Sequence, residues 1–519
     1  MNSSTLVLNG QNLTIQDLVS FINNPDAKVA LGGNTKEAIK RSERFLQTET
    51  KSKVTYGANT GFGPMASYIL SPIQLEALQV NLVRSHAVGL GDPIPEEYVL
   101  AAMVTRLNML VRGLSGVSLS LVEQVQKFIN HRIIPVVPEH GAVGTSGDLI
   151  QLAHIALAYI GEGTVFYQGE IHPTSEILKK LKLSPYKLKA KEGLALINGT
   201  ACMSGIFALL CAEASHLLNL SIHTAAIAAE IVNGFTDSFS SQLQSFRPHP
   251  GQVKVAELMR KIVQGSKRLR DRKKFQGEKV LAEEIYIIPE AVQEVYSLRC
   301  VPQILGPIWE TLEEAKRTTQ IELNGISDNP IVDTKSQTFW HGGNFHGEYI
   351  AARADQLKAQ LIKLVMLSER RINFFLNPNQ RHGLPPFLNS LTPGLTLGLQ
   401  GLQFVATSTV SDCQSLAYPH AIHSITTNGD NQDVVSMGTD AALFLSHVVE
   451  NAYIVLAIEL VTLTQGMDLT RMHSSFSPQA QKLYKQVRSI VPKIHEDRHL
   501  TPELTQLVQT LKTNKEILK

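Results

Sequence analysis

The run Gly144-Thr145-Ser146-Gly147, followed by Asp148-Leu149, holds a backbone able to rearrange into an electrophile. Gly147 has no Cβ, so its amide nitrogen can approach the Thr145 carbonyl in a fold that strains the chain. Attack there closes a five-membered imidazolone ring, and loss of water from Ser146 leaves an exocyclic methylidene. The commoner role for such a run is a turn in which Ser or Thr caps the helix starting near Asp148. Four-residue patterns recur by chance, so the rest of the chain must decide.

The elements that would position this run are mostly helical. Segments 98–112, 349–373 and 441–465 have few Gly or Pro and carry apolar residues at three- and four-residue spacing. The last is apolar nearly all round, as expected of a helix buried among others. Strand signals are few: 164–167 before a Gln168-Gly169 turn, and 6–8. Between the helices lie polar, glycine-containing loops at 56–63, 198–200, 327–330, 341–347 and 428–433, where function is usually carried. A mainly α protein with several helices in one bundle is expected. The chain has no P-loop, HExxH, strand-linked GxGxxG or GxSxG elbow, so a triad hydrolase is poorly supported.

Composition narrows the class further. With 519 residues, roughly three domains' worth of chain is present, ample for a large core. A net charge of +2 predicts no general attraction to nucleic acid or to an anionic membrane. The basic run 267–274 reads as a solvated loop or helix face rather than a phosphate patch, because no aromatic residues interleave with it. Cys202, Cys211, Cys300 and Cys413 lie far apart without ligand spacing, so neither a disulfide framework nor a metal site is expected. Residues 1–4 lack a charged region leading into an apolar stretch, and the apolar segment 453–464 is interrupted by Glu459 and short for a bilayer. A soluble, cytoplasmic protein is expected.

Taken with those loops, the chain closely resembles the aromatic amino acid ammonia-lyases and aminomutases, a family that includes histidine, tyrosine and phenylalanine ammonia-lyases. The resemblance runs from about 56 to about 468. It is carried in family order by YGANTGFG (56–63), NLVRSHAVG (81–89), GTSGDL (144–149), LINGT (196–200), QEVYSLRCVPQ (293–303), SDNP (327–330), GGNFHG (342–347) and NQDVVSMG (431–438). It implies an ammonia-lyase/fumarase-like fold: an N-terminal domain over 1–200 bearing the electrophile, then an elongated multi-helix bundle over 201–519. The electrophile is then 4-methylidene-imidazol-5-one (MIO), formed from Thr145, Ser146 and Gly147 without metal or diffusible cofactor. A homotetramer whose active sites each draw residues from three subunits is also implied. Helix N-termini aimed at such a site would raise its electrophilicity and help hold a substrate carboxylate.

The resemblance also assigns roles. Removal of a poorly acidic Cβ proton matches Tyr56, a phenol with an ordinary pKa near ~10 that its surroundings must activate. The electrophile, carried by Ser146, makes the α-amino group a better leaving group. Arg299 matches a bidentate carboxylate clamp, with Tyr296 one turn earlier on the same face and also assigned to catalysis. Asn198 and Gln293 match residues that hydrogen-bond the MIO or the substrate's polar end, and Phe345 an aromatic beside the MIO. Asp148 matches a residue implicated in MIO formation; favourable charge in a first helical turn is its ordinary role. Gly57, Gly61 and Gly63 suit a mobile lid.

Substrate choice rests on four positions. Histidine lyases carry Glu where Gln432 stands, and an imidazole benefits from a carboxylate partner where a phenol does not. Phenylalanine lyases commonly carry Glu at the position of Asn428. The selectivity pair is Ser85-His86, of which His86 can hydrogen-bond a para-hydroxyl; the same pair also occurs in histidine lyases. These positions point to L-tyrosine, with p-coumarate, a phenylpropanoid, and ammonia as products. Most of the family has Ala where Thr145 stands, and some members with Thr are aminomutases, so a tyrosine 2,3-aminomutase stays open, as does a histidine ammonia-lyase. A catalytically silent scaffold would be expected to have lost Ser146, Gly147, Tyr56 or Arg299, and all four are present.

Overall fold

A computed structural model describes residues 5–289, 291–379 and 383–515. Among them are eighteen α-helices and five small sheets of two or three strands. The periodic segments are helices: Glu96–Leu110, Glu348–Leu376 and Gly438–Thr470. Glu96 and Glu97 occupy the first turn of their helix, where negative charge meets the positive end of the dipole. Residues 164–167 pair with Glu170–Pro173 across Gln168-Gly169, both with positive φ, as the turn chemistry requires. Residues 6–8 lie in the strand Thr5–Leu8, parallel to Lys28–Leu31.

Two helices, Ala201–Ile231 and Gly438–Thr470, are long and apolar enough to cross a membrane by length and composition. This corrects the expectation that the most apolar segments are too short. Their most apolar windows are 83% and 61% buried within the protein, the pattern of core helices.

Contacts divide the chain into two compact units. One comprises Met1–Ala212, Ala315–Asp355 and Pro419–Leu445; the other comprises Glu213–Glu314, Gln356–Tyr418 and Ser446–Lys519. The chain thus re-enters the first unit twice after 212, and a single division at 200 does not describe it. The cause is helix length, since Ala201–Ile231, Val301–Glu322, Glu348–Leu376 and Gly438–Thr470 each carry residues of both units.

Within the first unit, the helices Pro72–His86, Leu149–Tyr159 and Glu192–Ile197 pack against one another. Their ends carry Ser85-His86, the start of the helix after Gly147, and Asn198. Within the second unit, the fully buried Arg371 and Glu459 form a pair, with Nε donating at 2.5 Å and Nη2 at 3.1 Å. The Thr224 hydroxyl accepts from Nη2 at 3.2 Å, and the Ser368 hydroxyl donates to Glu459.

The basic run 267–274 is a solvated loop only in part: Lys267, Asp271, Lys273 and Lys274 are exposed, whereas its arginines are engaged. Arg268 donates to the Glu230 and Ile231 carbonyls at 3.1 and 2.9 Å, closing the C-terminal end of the 201–231 helix. Arg270 and Arg272 stack over the Phe235 ring at 4.0 and 3.6 Å. The aromatic partner comes from more than thirty residues upstream, which local sequence does not reveal.

Candidate active site

Residues 144–148 and 198–200 clasp each other through backbone hydrogen bonds. The Gly199 N–H donates to the Ser146 carbonyl at 3.0 Å, and the Asp148 N–H donates to the Gly199 carbonyl at 2.9 Å. Gly147 has φ +84°, and a Cβ there would lie 2.2 Å from the Gly199 oxygen, so no other residue fits without moving that strand of chain. Ser146 is itself held at φ +51°, a strained position for a non-glycine residue. Neither Thr145 nor Ser146 caps the following helix Leu149–Tyr159, whose start has no side-chain cap. The simple capping turn is therefore not what the run forms.

These features suit the ring. Gly147 is confined to the one residue type that allows close approach, and the Ser146 carbonyl, which ring closure would retain, already holds an N–H donor. The Ser146 hydroxyl accepts from Gln432 Nε2 at 3.3 Å.

Asp148 is fully buried, and its carboxylate joins three helix starts. Its own helix begins at Leu149. One oxygen accepts from the Cys202 and Met203 N–H groups at 2.8 and 3.1 Å, in the first turn of the 201–231 helix. The other accepts from the Thr439 hydroxyl at 2.5 Å, at the start of the 438–470 helix. Burial pushes the carboxyl up to about 6, against the pull of Thr439, Met203, Cys202 and Arg106. Arg106, equally buried and lowered by desolvation to about 10, donates to the carbonyls of Ala195, Asn198 (2.6 Å) and Ser327 (3.1 Å). The buried Lys191–Asp328 pair at 2.9 Å holds the 327–330 loop.

A cavity of about 670 Å³ opens over this arrangement, with Tyr56, Ser85, His86, Thr145, Ser146, Asn198, Phe345, Asn428 and Gln432 among its lining residues. The Tyr56 hydroxyl accepts from the Gly63 N–H at 3.1 Å, and its ring stands edge-on to Phe62. Gly63 lies so close to Asn428 that a Cβ would come within 2.7 Å of its amide nitrogen. Asn198 reaches the cavity, but its amide nitrogen donates to Asp328 and to the Asn329 carbonyl at 3.2 and 3.3 Å. That group braces the 327–330 loop.

His86 Nδ1 lies 2.9 Å from the Leu82 carbonyl and 3.0 Å from the Ser85 hydroxyl. A carbonyl only accepts, so Nδ1 bears the proton and Nε2 of the neutral ring is an acceptor. Ser85 Oγ also lies 3.1 Å from the same carbonyl.

Gln293, Tyr296 and Arg299 are not among the residues lining this cavity; they belong to the second unit. There the Gln293 carbonyl, oriented to satisfy both groups, accepts from Arg299 at 2.5 and 3.3 Å. Arg299 stacks over the Tyr296 ring at 4.7 Å, and Tyr296 is 68% exposed. A short helix, Tyr296–Arg299, sets this grouping. Sequence reading missed Arg106, Lys191 and Thr439. Only Thr439 carried a signal, directly following the 431–438 motif, because Arg106 in a helical segment and Lys191 among the neighbouring Lys187 and Lys189 look like solvated charges.

Residues 13–489 match the family model for aromatic amino acid lyases. The chain is 40% identical over 514 residues to a histidine ammonia-lyase of Staphylococcus aureus, covering 98% of each. A solved tyrosine aminomutase from Streptomyces globisporus superposes with a TM-score of 0.92 at 34% identity, over 99% of this chain and 98% of that one. A Pantoea agglomerans phenylalanine aminomutase gives 0.93 at 31% identity, over 99% and 100%. The chain belongs to the MIO-dependent aromatic amino acid lyase and aminomutase family.

Proposed function

We propose that the protein is a cytoplasmic tyrosine ammonia-lyase, converting L-tyrosine to p-coumarate and ammonia. The observation that carries this reading is His86. Its Nδ1 is committed to the Leu82 carbonyl, so the ring offers the cavity an acceptor at Nε2. A para-hydroxyl donates to such an acceptor, whereas an unsubstituted ring leaves it unpaired. Gln432, a neutral amide, stands where an imidazole substrate would favour a carboxylate.

When formed, the MIO supplies the electrophile that turns the α-amino group into a better leaving group. Tyr56 takes the Cβ proton, its oxygen positioned by the Gly63 N–H. Phe345 and the 56–63 loop exclude water from the cavity wall. Arg299 would clamp the substrate carboxylate with Tyr296 and Gln293 beside it. These three lie outside the lining of this chain's cavity, and the exposure of Tyr296 suits their completing a site in another copy of a homotetramer.

Two observations keep other outcomes in the test. Identity of 40% to a histidine ammonia-lyase, with Asp433 lining the cavity, favours histidine as the second reading. The likeness to a tyrosine aminomutase, with Thr145 at the first ring position, favours return of the amine to Cβ. Product chromatography against tyrosine, histidine and phenylalanine decides. p-Coumarate from tyrosine with the highest kcat/KM is expected; dominant urocanate or dominant β-tyrosine would overturn the lyase reading in two distinguishable ways. Gln432→Glu is expected to raise histidine turnover relative to tyrosine by roughly tenfold.

A further inference from the structure

The segment 436–439 faces the ring-forming run at three points. The Met437 N–H donates to the Val143 carbonyl at 3.2 Å, and the Thr439 hydroxyl donates to Asp148. Beside Met437 stands Ser436, fully buried, whose Oγ has no hydrogen-bond partner. That oxygen is wedged between two glycine backbones. A Cβ on Gly144 would lie 2.5 Å from it, and one on Gly347 would lie 2.9 Å from it. A buried hydroxyl without a partner is rare in folded proteins and calls for an explanation.

The neighbouring residue supplies one. In the uncyclised chain the Gly144 carbonyl accepts from the Gly147 N–H, a long contact at 3.4 Å. Ring closure forms a bond between Gly147 N and the Thr145 carbonyl carbon. The Thr145 oxygen leaves as water with the hydrogens of Gly147 N and Ser146 N, and a second water takes the Ser146 hydroxyl and its Cα hydrogen. Gly147 N then has no hydrogen, so the Gly144 carbonyl loses its donor. The orphan hydroxyl thus stands against the residue whose carbonyl ring closure frees.

We propose that Ser436 is a positioning residue for MIO formation. Its hydroxyl gains the Gly144 carbonyl when the ring closes and so favours the cyclised chain. The proposal rests on the family's MIO and not on the choice of substrate.

The test is Ser436→Ala in two backgrounds, read by intact mass and by thermal unfolding. In the Ser146→Ala background, verified by full encoded mass, removing the orphan hydroxyl leaves Tm unchanged or raises it. In the Ser146 background it lowers Tm by roughly 1–3 °C. In timed cell-free translation samples, the loss of two waters slows by roughly three- to tenfold. Tm shifts of the same sign in both backgrounds, or maturation at the unaltered rate, overturn the proposal. Ser436→Cys, which is slightly larger and a weaker donor, serves if the alanine variant does not fold; it should slow maturation in the same direction, and an unchanged rate again overturns it.

Discussion

In the first unit the buried charges around the site stand beside loops; in the second the Arg371–Glu459 pair stands between helices. Arg106 and the Lys191–Asp328 pair brace the turns at 198–200 and 327–330, and Asp148, closing the 144–148 turn, anchors it to the first turns of two helices. Arg371 and Glu459 instead join residues on the helices Glu348–Leu376, Gly438–Thr470 and Ala201–Ile231. A helix satisfies its own backbone, so a charged pair between helices adds cohesion without shaping any main chain. The site turns have few ladder bonds and include the strained Ser146, so side chains must hold them. Loss of the first kind of charge should therefore register in site geometry, and loss of the second in stability alone.

The largest expected effect lies at the centre of the first region. Ser146→Ala should leave the full encoded mass and reduce turnover by roughly 10³-fold or more, with an unchanged circular dichroism spectrum. Undiminished turnover would remove the electrophile from the account. Next is His86→Leu, which deletes the cavity's acceptor. The ratio of tyrosine to phenylalanine kcat/KM should fall by roughly 10²–10³, and a constant ratio would show that His86 does not read the para position.

Arg371→Ala sharpens the comparison directly. It leaves Glu459 buried and unpaired and should destabilise the fold by about 3–5 kcal/mol, while kcat/KM per folded molecule stays constant. Arg106→Gln should lower both stability and kcat/KM, because the Asn198 and Ser327 carbonyls lose their donor. If the two variants behaved alike, the distinction between the regions would fail.

The smallest effect is a pH dependence. Burial raises the Asp148 carboxyl from 3.8 to about 6, so the folded state favours its protonated form. Its contribution to stability is then greatest below pH 3.8 and is lost as pH rises through about 6. Asp148→Asn should flatten the fall in Tm over that window. An unchanged slope would show that Asp148 does not titrate as its burial requires, and that Asp440, also raised to about 6, dominates.

Much of the molecule was legible from the chain. The long helices followed from apolar spacing, and the 164–173 hairpin from its Gln-Gly turn. The loops that line the cavity were marked by glycine and polar motifs, and nine of the thirteen residues singled out for the site line one cavity together, with Gly147 beneath it, while Gln293, Tyr296 and Arg299 do not. The basic run misled in part, because the ring its arginines approach most closely, Phe235, is distant in sequence. Asn198 misled in part, since nothing in LINGT shows that its amide nitrogen is used by Asp328.

By itself the sequence determined the reaction class. Thr145-Ser146-Gly147 holds the atoms of the ring, and covalent chemistry depends on which atoms are present and in what order. It also determined the helices, because periodic burial is written along each segment. Which nitrogen of His86 bears the proton follows from a carbonyl one helical turn earlier, and the tertiary structure decided that this residue lines the cavity. It alone gathered three helix starts on Asp148 and left Ser436 without a partner beside Gly144. Hydrogen bonding and desolvation act through distance, and distances between remote residues exist only once the chain has folded.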